Sequence, residues 1–206
     1  MQTMKRTRLQ NVIVIALLIC LGAGTLSAYV LLSPTRRWAS DPNVIVDNRG
    51  IPSISDGDLG RTRTRNAIVS TNAWNGAGSG TLLTAAVGSV SGFTLGDGRP
   101  MLNFRDPVGA CTGNCLAATF TGYFTGSTIN DADIVTNYAG FNWASAGEAC
   151  SSEIYVEGVM VHEVGHLLGL GHSGVAGATM APTVAFCSNA PATTEADDEA
   201  GVNFLY

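Results

Sequence analysis

Residues 161–182 read "VHEVGHLLGLGHSGVAGATMAP". The chain of 206 residues holds three histidines, and all of them, His162, His166 and His172, stand in this stretch. His162 and His166 fall in a run whose apolar residues Ile154, Val161, Val164, Leu167 and Leu168 recur at helical spacing. Four residues is about one turn, so both imidazoles project from one helix face and can ligate one ion. Glu163 follows His162 directly and can reach a water held between the imidazoles. His-Glu-x-x-His alone is a modest signal, and two buried histidines in an ordinary helix are the plain alternative. The next six residues weaken that alternative. A straight helix would carry His172 away from the other two. Gly169 lets the helix end in a left-handed turn, so the chain can fold back and bring His172 to the same point. Three neutral imidazoles with a fourth position left for water make the ligand set of a catalytic zinc site; structural sites close with four protein ligands.

Around this stretch the chain alternates between two kinds of pattern. "NVIVD" (residues 43–47), "AYVLL", "PMLNFRD", "LAATFTGYF" and "STINDADIVTNY" are short runs rich in β-formers and bounded by Gly, Pro or polar turns, so strands are expected there. "SDGDLGRTRTRNAIVSTNAWNG" reads as one helix with Ser55, Asp56 or Asp58 as cap, Ile68 and Trp74 on its inner side, and Gly76 as its stop. Its "RTRTR" reads as a solvated face rather than a nucleic-acid site. "SSEIYVEGVMVHEVGHLLGLG" is the histidine helix. "TTEADDEAGVNFLY" is a closing helix with Thr194 as N-cap. Strands with one early helix, then a helix, an irregular loop and a last helix make a mixed α/β, or α+β, domain over residues 29–206.

Composition narrows the function. Net charge is −5 and 13% of residues are charged, which argues against a nucleic-acid partner. The first 28 residues run from Lys5, Arg6 and Arg8 through an uncharged apolar core to "TLSA", the order of a secretory signal with a cut after Ala28. The alternative is a retained anchor, because Val12–Leu32 is uncharged and long enough to span a bilayer, with the domain held outside. Either way the domain is exported, secreted or extracytoplasmic, and no other membrane contact is expected. Of five cysteines, Cys20 leaves with the signal, and Cys111, Cys115, Cys150 and Cys187 face an oxidising compartment. Four cysteines allow three pairings. Cys111–Cys115, closing "CTGNC", with Cys150–Cys187 is the favoured one, and a cysteine-rich metal site is the alternative.

The pattern His162-Glu163-x-x-His166-x-x-Gly169-x-x-His172, with Met180 eight residues on, resembles the metzincin clan of zinc endopeptidases. "HSGVAGATMAP" resembles the matrixin branch (peptidase family M10 type) in particular. "DADIVTN" (residues 131–137) looks like the matrixin strand before the zinc helix, and "DDEAGVNFLY" like its closing helix. The resemblance implies a twisted, mostly parallel sheet with two main helices, a methionine turn and a C-terminal helix. It implies one catalytic Zn²⁺ on His162, His166 and His172, Glu163 as general base, and Met180 packed beneath the imidazoles. It places Pro182 and Thr183, within "APTVAF", on the pocket past the scissile bond, and Asp197 or Asp198 against the new N-terminus or the methionine turn. Leu116, Ala117 and Ala118, in "LAATFT", are the candidate edge strand on which an extended peptide would lie.

The chain also departs from the family. It has no histidine left for a second, structural zinc, and "DPVGACTGN" stands where a glycine-rich calcium loop would be. Asp97, Asp106, Asp131 and Asp133 keep a Ca²⁺ site open. No cysteine lies between Tyr29 and Ala110, so latency through a propeptide cysteine is not expected, nor is an accessory domain after Tyr206. A lone domain behind an export signal suggests a bacterial source, and a monomer is expected. The expected function is an exported zinc endopeptidase acting on protein or peptide substrates. A zinc-stapled binding module without catalysis and a zinc amidase acting on cell-wall peptides are its rivals. Glu163 argues against the staple, which needs no general base.

Overall fold

The structure, a computed structural model, describes residues 29–54, 57–78, 82–90 and 92–206. The leader or anchor expected at residues 1–28, and the caps expected at Ser55 and Asp56, lie outside them. Among the described residues no helix is long and apolar enough to cross a membrane.

The strands are β1 (Arg37–Trp38), β2 (Asn43–Asp47), β3 (Thr84–Gly88), β4 (Met101–Asn103), β5 (Ala117–Thr125) and β6 (Thr128–Thr136), with a small pair, β7 (Trp143–Ala144) and β8 (Ile154–Tyr155). The helices are α1 (Gly57–Ile68), α2 (Trp74–Ala77), α3 (Val156–Leu168) and α4 (Ala196–Leu205). β6 is the spine of the main sheet. β1 and β4 share one of its sides in tandem, β2 pairs with β4, and β3 pairs with β2, all parallel. β5 pairs antiparallel along the other side of β6 and forms that edge of the sheet. This is the mixed, mostly parallel architecture expected from the sequence.

Register explains the two faces. Val46, Leu102 and Ile134 are neighbours across three strands, and all are buried against Ile68, Trp74, Val164 and Leu168 of the helices. The next row, Ile45, Met101 and Asp133, points the other way. The chain between β3 and β4 covers that face. Gly92 O accepts from Asn103 Nδ2 at 3.0 Å, Thr94 N donates to Asp133, and Phe93 packs edge-on against Phe120.

Several expectations are corrected. "AYVLL" is not a strand; Leu31 makes one isolated antiparallel bridge to Leu170. The early helix is broken, because a turn over residues 70–73 separates α1 from α2, and Gly76 lies inside α2 rather than stopping it. "RTRTR" is not simply a solvated face. Thr64 is fully buried, Arg65 Nε donates to Ala85 O at 2.9 Å, and Arg63 bonds Ala146 O. The histidine helix starts at Val156, because Ile154–Tyr155 are taken by β8. The closing helix is capped by Glu195, not Thr194. Glu195 and Asp198 form a reciprocal capping box, while Thr194 N bonds Asn72 O. Cys111–Cys115 and Cys150–Cys187 are both disulfides, so none of these four thiols remains for a metal.

Candidate metal centre and active-site cleft

α3 ends where the sequence requires it to end. Gly169 adopts φ 109°, ψ 9°, and Leu170 N reaches back to Gly165 O at 3.0 Å. A Cβ at Gly169 would stand 2.5 Å from Arg36 O, so a side chain has neither the conformation nor the room. The last carbonyls of the helix find partners from distant chain. Trp38 Nε1 donates to Leu167 O at 2.8 Å, Tyr206 Oη to Leu168 O at 2.8 Å, and Leu32 N to Gly169 O at 2.9 Å. The reversal after Gly169 is thereby fixed, and the loop that carries His172 returns over the helix.

The three histidines meet. Their ligand atoms lie within 4.8 Å of one another. The side-chain hydrogen bonds decide which nitrogens face the centre. His162 Nδ1 donates to Thr179 O at 2.7 Å and His166 Nδ1 to Leu170 O at 2.8 Å, so both rings keep the Nε2 lone pair free for a ligand bond. Burial pushes the proton affinity of His162 down, and that of His166 down to about 4, which favours the neutral, ligating form of each. His172 completes the set from the exposed side. Three converging imidazoles, two of them oriented by carbonyl oxygens, match the chemistry of zinc.

Met180 packs against Gly165 of α3. It is 2% exposed, and its turn is held by Asp198, which accepts Thr179 N at 2.7 Å and Met180 N at 3.0 Å. Asp198 thus fixes the peptide whose carbonyl orients His162. Asp197 instead accepts the Ser173 hydroxyl at 2.6 Å. Of the two, Asp198 is the residue on the methionine turn. Gly165 does not stand out in the sequence as a site residue, yet a Cβ there would collide with Met180 Sδ and come within 2.6 Å of the Trp74 ring. Trp74 in turn donates Nε1–H to Val161 O at 2.7 Å.

Glu163 is 5% exposed. Burial raises its proton affinity to about 7, opposed by a hydrogen bond from the Thr119 hydroxyl to Oε2 at 2.6 Å. Its carboxylate opens with His162 and His172 onto a cleft of about 480 Å³. Leu116 and Ala117 of the β5 side line it, opposite Pro182, Thr183, Val184 and Phe186, with Phe141, Ile154 and Val159 deeper. Ala118 is not on the lining, because alternation along β5 turns it away from Ala117. The far wall is fastened to the start of α3. Cys187 is disulfide-bonded to Cys150, and Gly158 N donates to Asn189 Oδ1 at 3.1 Å.

Residues 104–206, half of the chain, match the Peptidase_M10 family model, described as Matrixin. The chain belongs to the matrixin family. Metalloendoproteinase 2-MMP of Arabidopsis thaliana is 39% identical over 70 residues, which cover 32% of this matrixin chain and 18% of the plant protein. Metalloendoproteinase 4-MMP of the same plant is 46% identical over 59 residues, 29% of this chain and 17% of that protein. The matches therefore span less than a fifth of either relative. Matrixins are zinc-dependent and often bind calcium.

Proposed function

We propose that this matrixin is an exported zinc endopeptidase. The observation that carries the reading is the juxtaposition of three imidazoles, two with Nε2 freed by their Nδ1 bonds, and a desolvated carboxylate on one wall of an open cleft. Zinc on His162, His166 and His172 would supply Lewis acidity toward the scissile carbonyl and acidify a water. The chain supplies the rest. Glu163 Oε2 is engaged by Thr119, which leaves Oε1 to take the proton from the attacking water and pass it to the leaving amine. The free side of β5 offers backbone groups to an extended peptide, and the apolar cleft receives the side chain that follows the cut. The apolar, well-walled cleft favours peptides over the amidase alternative, and a buried base beside the ligands disfavours a zinc-stapled module. Export rests on the order of the first 28 residues and is supported by two disulfides.

Calcium fits one of the expected places better than the others. Asp131 and Asp133 are adjacent on one face of β6, 0% and 1% exposed, and Asp131 Oδ1 has no hydrogen-bond partner. That orphaned oxygen suits a bound cation. Asp106 closes its own turn by accepting Val108 N and Cys111 N, and Asp97 accepts Arg99 N.

The test is zinc content and casein cleavage of the exported protein, wild type beside Glu163→Ala. About one zinc in each, with cleavage lost only in the variant, supports the reading. Zinc in both with no cleavage of any protein substrate by wild type would overturn the endopeptidase.

A further inference from the structure

Thr119 lies on β5, the edge strand, but its side chain points at α3. Its hydroxyl oxygen is 2.6 Å from Glu163 Oε2 and 2.9 Å from Glu163 O. One hydroxyl carries one proton, and the two acceptors are not equal. The backbone carbonyl of Glu163 sits inside α3, where Leu167 N is its helical donor. The carboxylate is buried, and among the described residues Thr119 is the side chain that donates to it. The 2.6 Å separation is the length of an O–H···O⁻ bond. Without it the terminal torsion of a glutamate is broad and nearly two-fold, and the two oxygens could exchange places. Thr119 is not among the residues that line the cleft, and the contact its hydroxyl makes is with Glu163.

We infer that Thr119 is a positioning residue for Glu163: it holds Oε2 toward the sheet, so that Oε1 alone faces the reacting water. The inference rests on the endopeptidase reading. It also places the base under the control of the strand on which the peptide lies, because one hydroxyl joins β5 to the reacting carboxylate.

The experiment measures kcat and KM separately on a peptide substrate, with zinc content and Tm, for wild type, Thr119→Val, Thr119→Ala, Thr119→Ser and Glu163→Ala. Valine keeps the branched shape and removes the donor; serine keeps the donor. Loss of an outer hydrogen-bond partner commonly costs 10–100-fold in activity. Expected for Val and Ala is a fall in kcat of about 10–100-fold with KM within about two-fold and zinc retained; Ser recovers most of kcat. If Val fails to fold, Ala carries the same comparison. Unchanged kcat in the folded donor-less variants, or a rise in KM alone, overturns the inference. So does a Ser variant as slow as Val, since that would make the methyl group, not the hydroxyl, responsible. An inactive wild type beside an inactive Glu163→Ala would instead overturn the endopeptidase reading, and this inference with it.

Discussion

Gly165 is the second x of His-Glu-x-x-His, and glycine inside a helix costs about 1 kcal/mol relative to alanine. The cost is forced by packing, because Met180 and Trp74 occupy the space a methyl group would need. Gly165→Ala should therefore destabilise the protein by about 1–3 kcal/mol despite its better helix propensity. Thermal unfolding would show this as a Tm several degrees lower, with faster loss of zinc to a chelator; an unchanged or higher Tm would mean that Met180 yields easily. Residues of this kind set the limit of sequence reading. The three histidines, Glu163 and Gly169 were legible, because ligand spacing and helix termination are local. Gly165 and Thr119 were not legible in their roles, and Asp198 was legible only as one of two candidates for the methionine turn, since each acts on a partner from another element.

At the scale of elements, β6 carries an electrostatic load. Burial first, and the charge of Asp131 second, raise the proton affinity of Asp133 from 3.8 to about 7. The folded state then binds more protons than the unfolded state across that interval, so this group's effect on stability worsens as pH rises from about 4 to about 7. Urea unfolding of wild type and Asp133→Asn at pH 5 and pH 8 checks the sign: wild type should lose more stability over that rise. Millimolar calcium at pH 8 should restore wild type and do less for the variant. A larger loss in the variant would refute the assignment. The two disulfides should also differ. Cys150–Cys187 closes a separation of 37 residues and Cys111–Cys115 one of 4, which the chain-entropy relation turns into about 4 and about 2 kcal/mol. Paired serine substitutions should lower Tm in that order. Long alternating or β-branched runs such as β2, β5 and β6 could be read from sequence. β1, β3, β7 and β8 could not, because two-residue segments and the alanine- and glycine-rich "TAAVG" carry almost no periodic signal and exist through their neighbours' ladders.

For the whole molecule, the ligands and the core are separate. Val46, Leu102, Ile134, Trp74, Val164 and Leu168 pack without help from an imidazole. Removing zinc should leave the chain folded at 25 °C and lower its Tm, by the equivalent of about 2.7 kcal/mol when the comparison is free zinc at 100 times its Kd. Circular dichroism with and without a chelator checks both halves. Collapse of the far-ultraviolet signal at 25 °C would show that the metal is needed for the fold itself. Glu163→Ala should keep the full zinc effect on Tm.

Under the endopeptidase reading proposed above, the Cys150–Cys187 bridge has a further consequence. It closes a covalent ring that contains α3, all three histidines and Met180. The loop from Gly174 to Gly177 inside that ring is largely exposed, and so open to autolysis. A single nick there would open the backbone but release neither half. His162, His166 and His172 would stay on one half, the half that carries Met180 would remain joined to it through sulfur, and the nicked chain would run as one species until reduced, then as two.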